Sequence, residues 1–199
     1  MSVSFTVEDR ATPALEKVLA GLRDRTRLHE FAGRQVQTST SDYLRMIAPR
    51  KHKTANRLGA QPTGHLSSAA ESVTSKASGN DAVVTITSPG IRRAFRELRI
   101  QSRGRLLTIP ASAQTYGKRA RDFTDLTFIP FQNARRTKAL AWVRGRGRNR
   151  QVEIAYWLLE RVNIPQDREL LPSSEALAQA ATEGAKSYIR LLLQTLRNN

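Results

Sequence analysis

The sequence predicts an α+β fold, in which a long N-terminal helix and a C-terminal helix pack on an antiparallel sheet, with basic loop insertions. Apolar residues recur with a helical period near both ends of the 199-residue chain. Runs of strand length, rich in β-branched and apolar residues, fill the middle, and turn residues separate them. The length suits a single domain over residues 1–199.

The N-terminal elements are predicted to be a strand and then a helical stretch. Residues 2–7 alternate apolar and polar side chains, as a half-buried strand does. A Thr-Pro pair follows that can cap a helix, and apolar residues then recur every three or four positions. We therefore expect residues 13–48 to form one long helix or two helices in tandem, with Gly21 and Gly33 as weak points.

The central part of the chain predicts short elements joined by turns. Residues 50–64 are basic, contain two glycines and a proline, and show no period, which predicts an extended loop about 50–64 that is exposed in a free subunit and contacts a neighbour. The following elements are expected in chain order: a helix at 65–76, a strand at 82–87, a helical turn at 91–98 with Phe95 inward, a strand at 106–109 and a helix at 111–122.

Three apolar runs predict a meander of antiparallel strands, at 126–131, 139–143 and 152–159. The link between the last two is rich in arginine, and its glycines allow the positive φ angles that a tight turn requires. The sequence thus predicts an Arg-rich hairpin at about 144–150. Ser173 is the expected N-cap of a final amphipathic helix.

The charge of the chain is large and unevenly distributed. There are 33 Lys and Arg residues against 17 Asp and Glu, a net charge of +16, and 26 of the basic residues are arginine. Residues 50–151 carry all of this excess, whereas the two ends are balanced. Arginine pairs well with phosphate and carboxylate groups, so we expect nucleic acid or an acidic protein surface as a partner. A solvated basic face is the alternative.

The sequence offers no set of residues suited to catalysis, so the chain is predicted not to be an enzyme and to need no cofactor or metal. It has no cysteine, which excludes disulfides and thiol chemistry. Lys51 and Lys53 flank His52 and oppose metal binding there. Asp122 and Asp125 lie beside arginines and are expected to form salt bridges or caps. The apolar runs are too short for a membrane span.

The Arg-rich hairpin is the main candidate site. Its arginines alternate along the chain with glycines that would splay them around the tip, and nothing acidic lies between Asp125 and Glu153. A second basic group precedes the strand at 139–143. The predicted contacts to DNA phosphates or to a partner are Arg144, Arg146, Arg148, Arg150, Arg135, Arg136 and Lys138. The predicted intersubunit contacts are Arg50, Lys51, His52, Lys53 and Arg57.

Four blocks of sequence resemble the phage virion morphogenesis (tail-completion) proteins of Mu-like prophages. They are SFTVEDRATPALEKVLAGL, the Gly-His-Leu that opens the helix at residue 65, LLTIPASAQTYGKRARDFTDLTFIPF, and VNIPQDRELLPSSEALAQAATEGAKSYI. The last contains the Leu-Pro-x-Ser junction that is common before the final helix of such proteins. Residues 91–98 depart from the family, since they are Arg-rich where many relatives have an aromatic or His-Gln-Gly segment.

The resemblance implies a structural virion protein without catalytic activity. Such a protein would be made in the host cytoplasm and would sit at the head–tail joint as a homo-oligomeric ring, which the resemblance implies to have six subunits. It would complete or terminate the tail and dock it to the neck, with contacts to tail tube and connector proteins and a possible DNA contact in the lumen. The alternative is a non-specific nucleic-acid-binding protein with no virion role.

Overall fold

A computed structural model describes residues 11–130, 138–145 and 147–197. The helices are α1 (Ala11–Arg23), α2 (Arg25–Ile47), α3 (Lys53–Leu58), α4 (His65–Glu71) and α5 (Ser174–Arg197). The strands are β1 (Val73–Ala77), β2 (Ala82–Ile86), β3 (Leu98–Gln101), β4 (Leu107–Pro110), β5 (Thr127–Pro130), β6 (Lys138–Arg144), β7 (Gln151–Leu159) and β8 (Arg161–Ile164). All strand pairs described are antiparallel, so the α+β class is confirmed.

The chain divides into two compact units. The first comprises Met1–Tyr43, Ala69–Thr87 and Leu171–Asn199, and the second comprises Leu44–Ser68 and Ser88–Leu170. The prediction of one domain over the whole chain stays a prediction.

Helices dominate the first unit and pack closely on one another. The Tyr188 hydroxyl on α5 donates to the Gly21 carbonyl at 2.9 Å, and the Tyr188 and Phe31 ring centroids lie 5.3 Å apart. Gly184 permits this packing, because a Cβ there would lie 2.5 Å from the Phe31 carbonyl oxygen. On another side of α2, the Gln37 amide donates to the Val73 carbonyl of β1 at 3.0 Å. The unit is therefore a helical group with the β1–β2 hairpin against α2.

The second unit contains a four-stranded sheet in the order β4-β7-β6-β5, together with the separate pair β3–β8. One cluster of its core is formed by Trp142, Ala155 and Tyr156, against which Phe123 and Leu140 pack. The buried polar atoms of this cluster are paired. The Tyr156 hydroxyl donates to the Lys118 carbonyl at 3.1 Å, and the Trp142 indole N–H donates to Asp125 Oδ1 at 3.1 Å.

The predicted meander is confirmed, and so is the start of the last helix. Strands β5, β6 and β7 pair in sequence order, with a bulge between Leu140 and Ala141. The Ser173 hydroxyl accepts the amide N–H of Ala176 at 3.2 Å, as an N-cap does. The pKa of Glu175 is lowered by its own backbone amide first and then by the Ser173 and Ser174 hydroxyls, which fits a carboxylate in the first helical turn.

The N-terminal helical stretch forms two helices in tandem, one of the two arrangements that the sequence left open. The break lies at Asp24 and not at either glycine. The Asp24 side chain accepts the Arg27 amide N–H at 3.3 Å and so caps α2. The strand predicted at 2–7 lies outside the described residues.

Three predictions for the middle of the chain were wrong in part. Residues 50–64 are not an aperiodic loop, because α3 occupies six of them and ends at Gly59, whose φ is 64°. The helix predicted to run through residue 76 ends at Glu71, since Val73 and its neighbours pair with β2. The helix predicted at 111–122 is replaced by turns and a 3-10 helix, with Gly117 at φ 76°.

Two smaller differences concern short segments. Phe95 follows a 3-10 helix and is 71% exposed, so its predicted inward orientation was wrong, although Ile91 and Ala94 are buried as expected. The β3–β8 pair was not predicted, because each strand has only four residues and too little pattern to detect.

Candidate functional site

The β6–β7 hairpin presents the predicted Arg-rich tip. Its last paired residues are Arg144 and Gln151, and Gly145 and Gly147 have φ angles of 75° and 59°. A Cβ at Gly145 would lie 2.5 Å from the Asn149 carbonyl oxygen, so only glycine fits this turn. The prediction that both glycines adopt positive φ angles is confirmed. The connection is not a tight β-turn, because six residues separate Arg144 from Gln151 and they include a 3-10 helix at Gly147–Asn149.

The arginines of the tip are partly described. The side chains of Arg144 and Arg150 are exposed, and neither forms an ion pair with a carboxylate of the described residues. Arg146 and the side chain of Arg148 lie outside the described part. Arg144 and Arg150 therefore lie at the two ends of the turn, and neither is neutralised by an ion pair with a described carboxylate.

The second predicted basic group is at the other end of β6. Lys138 begins this strand opposite Leu158 and is exposed. Six residues of extended chain separate it from Arg144, which is about 20 Å at the usual rise of a strand. Arg135 and Arg136 lie outside the described residues. The structure thus does not bring Lys138 to the hairpin tip.

The five side chains predicted in an exposed intersubunit loop divide into two groups. Arg50, Lys53 and Arg57 are exposed, as expected. The Lys51 side chain is only 13% exposed and His52 only 4%, so both point into the second unit and their predicted exposure was wrong. A contact of this segment with a neighbouring subunit stays a prediction.

Lys51 is held by two carboxylates that are distant in sequence. Its Nζ donates to Asp167 Oδ1 at 3.0 Å and to Glu169 Oε2 at 2.7 Å. The hydrogen bond to Glu169 is the main cause that raises the pKa of Lys51 above 10.5, with Asp167 contributing as well. The Arg93 guanidinium approaches Asp167 to 3.7 Å from the other side. This network joins the turn before α3 to the segment that follows β8.

His52 and His65 meet at a cavity beside this network. Their ring centroids lie 5.1 Å apart in an edge-to-face arrangement. Both rings line a cavity of about 540 Å³, which Lys51, Arg93, Tyr116 and Asp167 also line. The pKa of His65 is lowered, first by burial and then by repulsion from His52 and Arg93. Nδ1 of His52 is buried and has no hydrogen-bond partner within the described part of the chain.

Sequence reasoning missed this cavity. The two histidines are 13 residues apart, and Lys51 and Glu169 are 118 apart, so no local pattern links them. The only signal was a pair of histidines at the two ends of a basic segment. Across the described ranges no group of three or more His, Asp or Glu side chains is placed to hold a metal ion.

Asp122 and Asp125, which were expected to form salt bridges or caps, both have structural partners. Asp122 Oδ2 accepts the Arg119 amide N–H at 2.9 Å and caps the 3-10 helix, as expected. Asp125 accepts the Trp142 indole N–H and thereby supports the core cluster.

No helix among the described residues is both long and apolar enough to cross a bilayer. No protein-family profile matches the chain, and no curated protein or solved structure is significantly similar to it.

Proposed function

We propose that this chain is a structural virion protein that forms a ring at the head–tail joint of a phage and presents its Arg-rich hairpin to a polyanion. The resemblance of four sequence blocks to tail-completion proteins supports the virion role. The α+β class of the structure agrees with that resemblance but is common to many functions. The hairpin is the observation that carries the proposed contact.

Electrostatics supports a polyanion as the hairpin's partner. Residues 126–151 hold seven basic and no acidic side chains, and the described arginines of the tip have no internal ion pair. Clustered cations at an exposed turn repel one another, and binding of a polyanion relieves this repulsion. A polyanion should therefore bind more strongly to such a cluster than to dispersed charges. Contacts of this kind reach phosphates and carry no sequence specificity.

A ring would multiply this charge. Six copies would place about twenty-four arginines around the axis, facing a duplex that carries one charge per ~1.7 Å. DNA in the lumen is therefore the favoured partner over an acidic protein of the neck or tail tube. The second candidate function, a DNA-binding protein with no virion role, rests on the same hairpin and differs in its assembly state.

The test replaces the four hairpin arginines together. The variant R144Q/R146Q/R148Q/R150Q should fold, because the tip is exposed. Its binding to a DNA duplex should weaken, and the slope of log affinity against log salt should fall by up to about 3.6 per bound protomer. The matched control removes the same charge from other exposed arginines of the second unit, as R96Q/R103Q/R105Q/R121Q. This control should change the slope much less.

The assay also separates the alternatives. Equal losses in both variants would show that total charge matters and that the hairpin has no special role. A hairpin variant that cannot assemble, with unchanged DNA affinity, would make the hairpin a protein–protein contact. Electron microscopy of the purified protein and of phage particles determines the assembly state. If the protein is a small oligomer that never enters a particle, the virion role is wrong and only the DNA-binding function remains.

A further inference from the structure

One buried polar atom at the cavity of His52 and His65 has no partner among the described residues. His52 is 4% exposed, and its Nδ1 makes no hydrogen bond to them. The Arg93 side chain is 25% exposed and lies 3.7 Å from Asp167, which is an ion-pair distance but too long for a hydrogen bond, so its N–H groups can donate to a further acceptor. Buried polar groups are nearly always satisfied in folded proteins, so the unpaired Nδ1 indicates a missing partner.

The charges around the cavity specify the sign of that partner. Four cations line it, and two carboxylates oppose them. The cations are Lys51, Lys53, Arg93 and Arg168, and the carboxylates are Asp167 and Glu169. Lys51 binds both carboxylates and Arg93 also pairs with Asp167, so these two cations balance the two carboxylates. Lys53 and Arg168 remain, and the lining therefore carries an excess of positive charge. An anion would be attracted here, and a metal cation would be repelled.

The two imidazoles supply donors of the right kind. A neutral imidazole carries one N–H and can adopt the tautomer that donates toward an acceptor. Each ring can thus give one hydrogen bond to an oxyanion without taking up a proton, and the guanidinium can add a planar fork of donors. A volume of about 540 Å³ lies in the range of small-molecule sites, so the cavity has room for more than a single inorganic ion.

We propose that this cavity binds a phosphate group, either as the free ion or as the ester of a small molecule, with His52, His65 and Arg93 as its hydrogen-bond donors. Lys51, Asp167 and Glu169 position the walls of the site, since they tie the turn before α3 to the segment after β8. This binding is independent of the hairpin and of any role in a virion.

Histidine NMR of the full-length protein is the first test, because the chain has only three histidines. Titration with inorganic phosphate should shift the ring signals of His52 and His65. His29, whose Nδ1 lies 2.9 Å from the Ser78 carbonyl oxygen in the first unit, should not respond and serves as the internal control. Absence of a shift at the pair, or an equal shift at all three, would overturn the proposal.

Calorimetry with variants is the second test. Arg93→Gln and His65→Gln should each weaken phosphate binding by about tenfold, the usual effect of losing one hydrogen bond to a charged group. His29→Gln should leave it unchanged. AMP in place of phosphate distinguishes the two sources: tighter binding of AMP indicates an ester, and equal binding indicates the free ion. If zinc shifts the ring signals of His52 and His65 and phosphate does not, the cavity is a metal site and the proposed anion site is wrong.

Discussion

A close approach of α5 to α2 in the first unit depends on Gly184, and replacing this glycine by alanine should destabilise the protein. A Cβ at this position would lie 2.5 Å from the Phe31 carbonyl oxygen and 2.7 Å from Ala32 Cα. Both neighbours are backbone atoms of α2, so no side-chain rotation can relieve the overlap. α2 and α5 would have to separate, which weakens the packing of Phe31 on Tyr188.

The magnitude follows from two opposing effects. Alanine improves the helix propensity of α5 by about 1 kcal/mol over glycine. Overpacking of a tight contact costs about 1–3 kcal/mol, and the upper value applies when the contacted atoms belong to the backbone. The net loss in the free energy of unfolding is therefore about 2 kcal/mol, equivalent to a fall in Tm of about 4–8 °C for a chain of this length.

Urea unfolding followed by circular dichroism measures this loss, and Gly21→Ala is the matched control. A Cβ at Gly21 would meet only the side-chain end of Leu192, at 2.8 and 2.9 Å, which can rotate away. In Gly21→Ala the gain in helix propensity and the cost of moving the Leu192 side chain should nearly cancel. The free energy of unfolding should therefore change by less than about 0.5 kcal/mol. The reasoning is refuted if Gly184→Ala is as stable as the parent protein, or if both variants lose the same amount.

Three further changes test the core, a helix cap and a titrating group. Tyr156→Phe should cost about 1–2 kcal/mol in urea unfolding, because the Lys118 carbonyl loses a buried donor, and no loss would contradict that bond. Ser173→Ala should cost about 1 kcal/mol in thermal unfolding through loss of the N-cap, and an unchanged Tm would count against it. The lowered pKa of His65 means that the unfolded chain binds its proton more readily, so stability should fall as pH drops below 6.5. His65→Gln should flatten the dependence of stability on pH between pH 7 and pH 5. An unchanged profile would show that other groups cause this pH dependence.

Local pattern was enough to predict the elements whose stability is itself local. The β5–β6–β7 meander follows from apolar runs with turn residues between them, and α5 follows from a serine cap before a helical period. Helix α3 was missed because six residues are too few to show a period. It is stabilised by the burial of Ala55 and by an αL glycine at its end, and both depend on the surrounding fold.

The Arg-rich hairpin and the cavity at His52 and His65 also differ in how far the sequence predicts them. The hairpin is predictable because its arginines and glycines are adjacent in sequence and the turn geometry follows from them. The cavity is not, because its histidines, arginine and carboxylates come from four separate segments that only the tertiary structure joins. A sequence can show which residue types are present in such a site but not that they converge.

The structure also changes how the basic charge of the chain should be interpreted. In the segment 50–64, Lys51 is paired with two carboxylates and His52 is buried, so part of the expected basic surface is neutralised or hidden within the second unit. No such pairing is described for Arg144 or Arg150, and residues 126–151 contain no acidic side chain. Charge that has no internal partner is the charge that an external polyanion can neutralise. This distribution favours the hairpin over the segment 50–64 as the surface that would contact a polyanion.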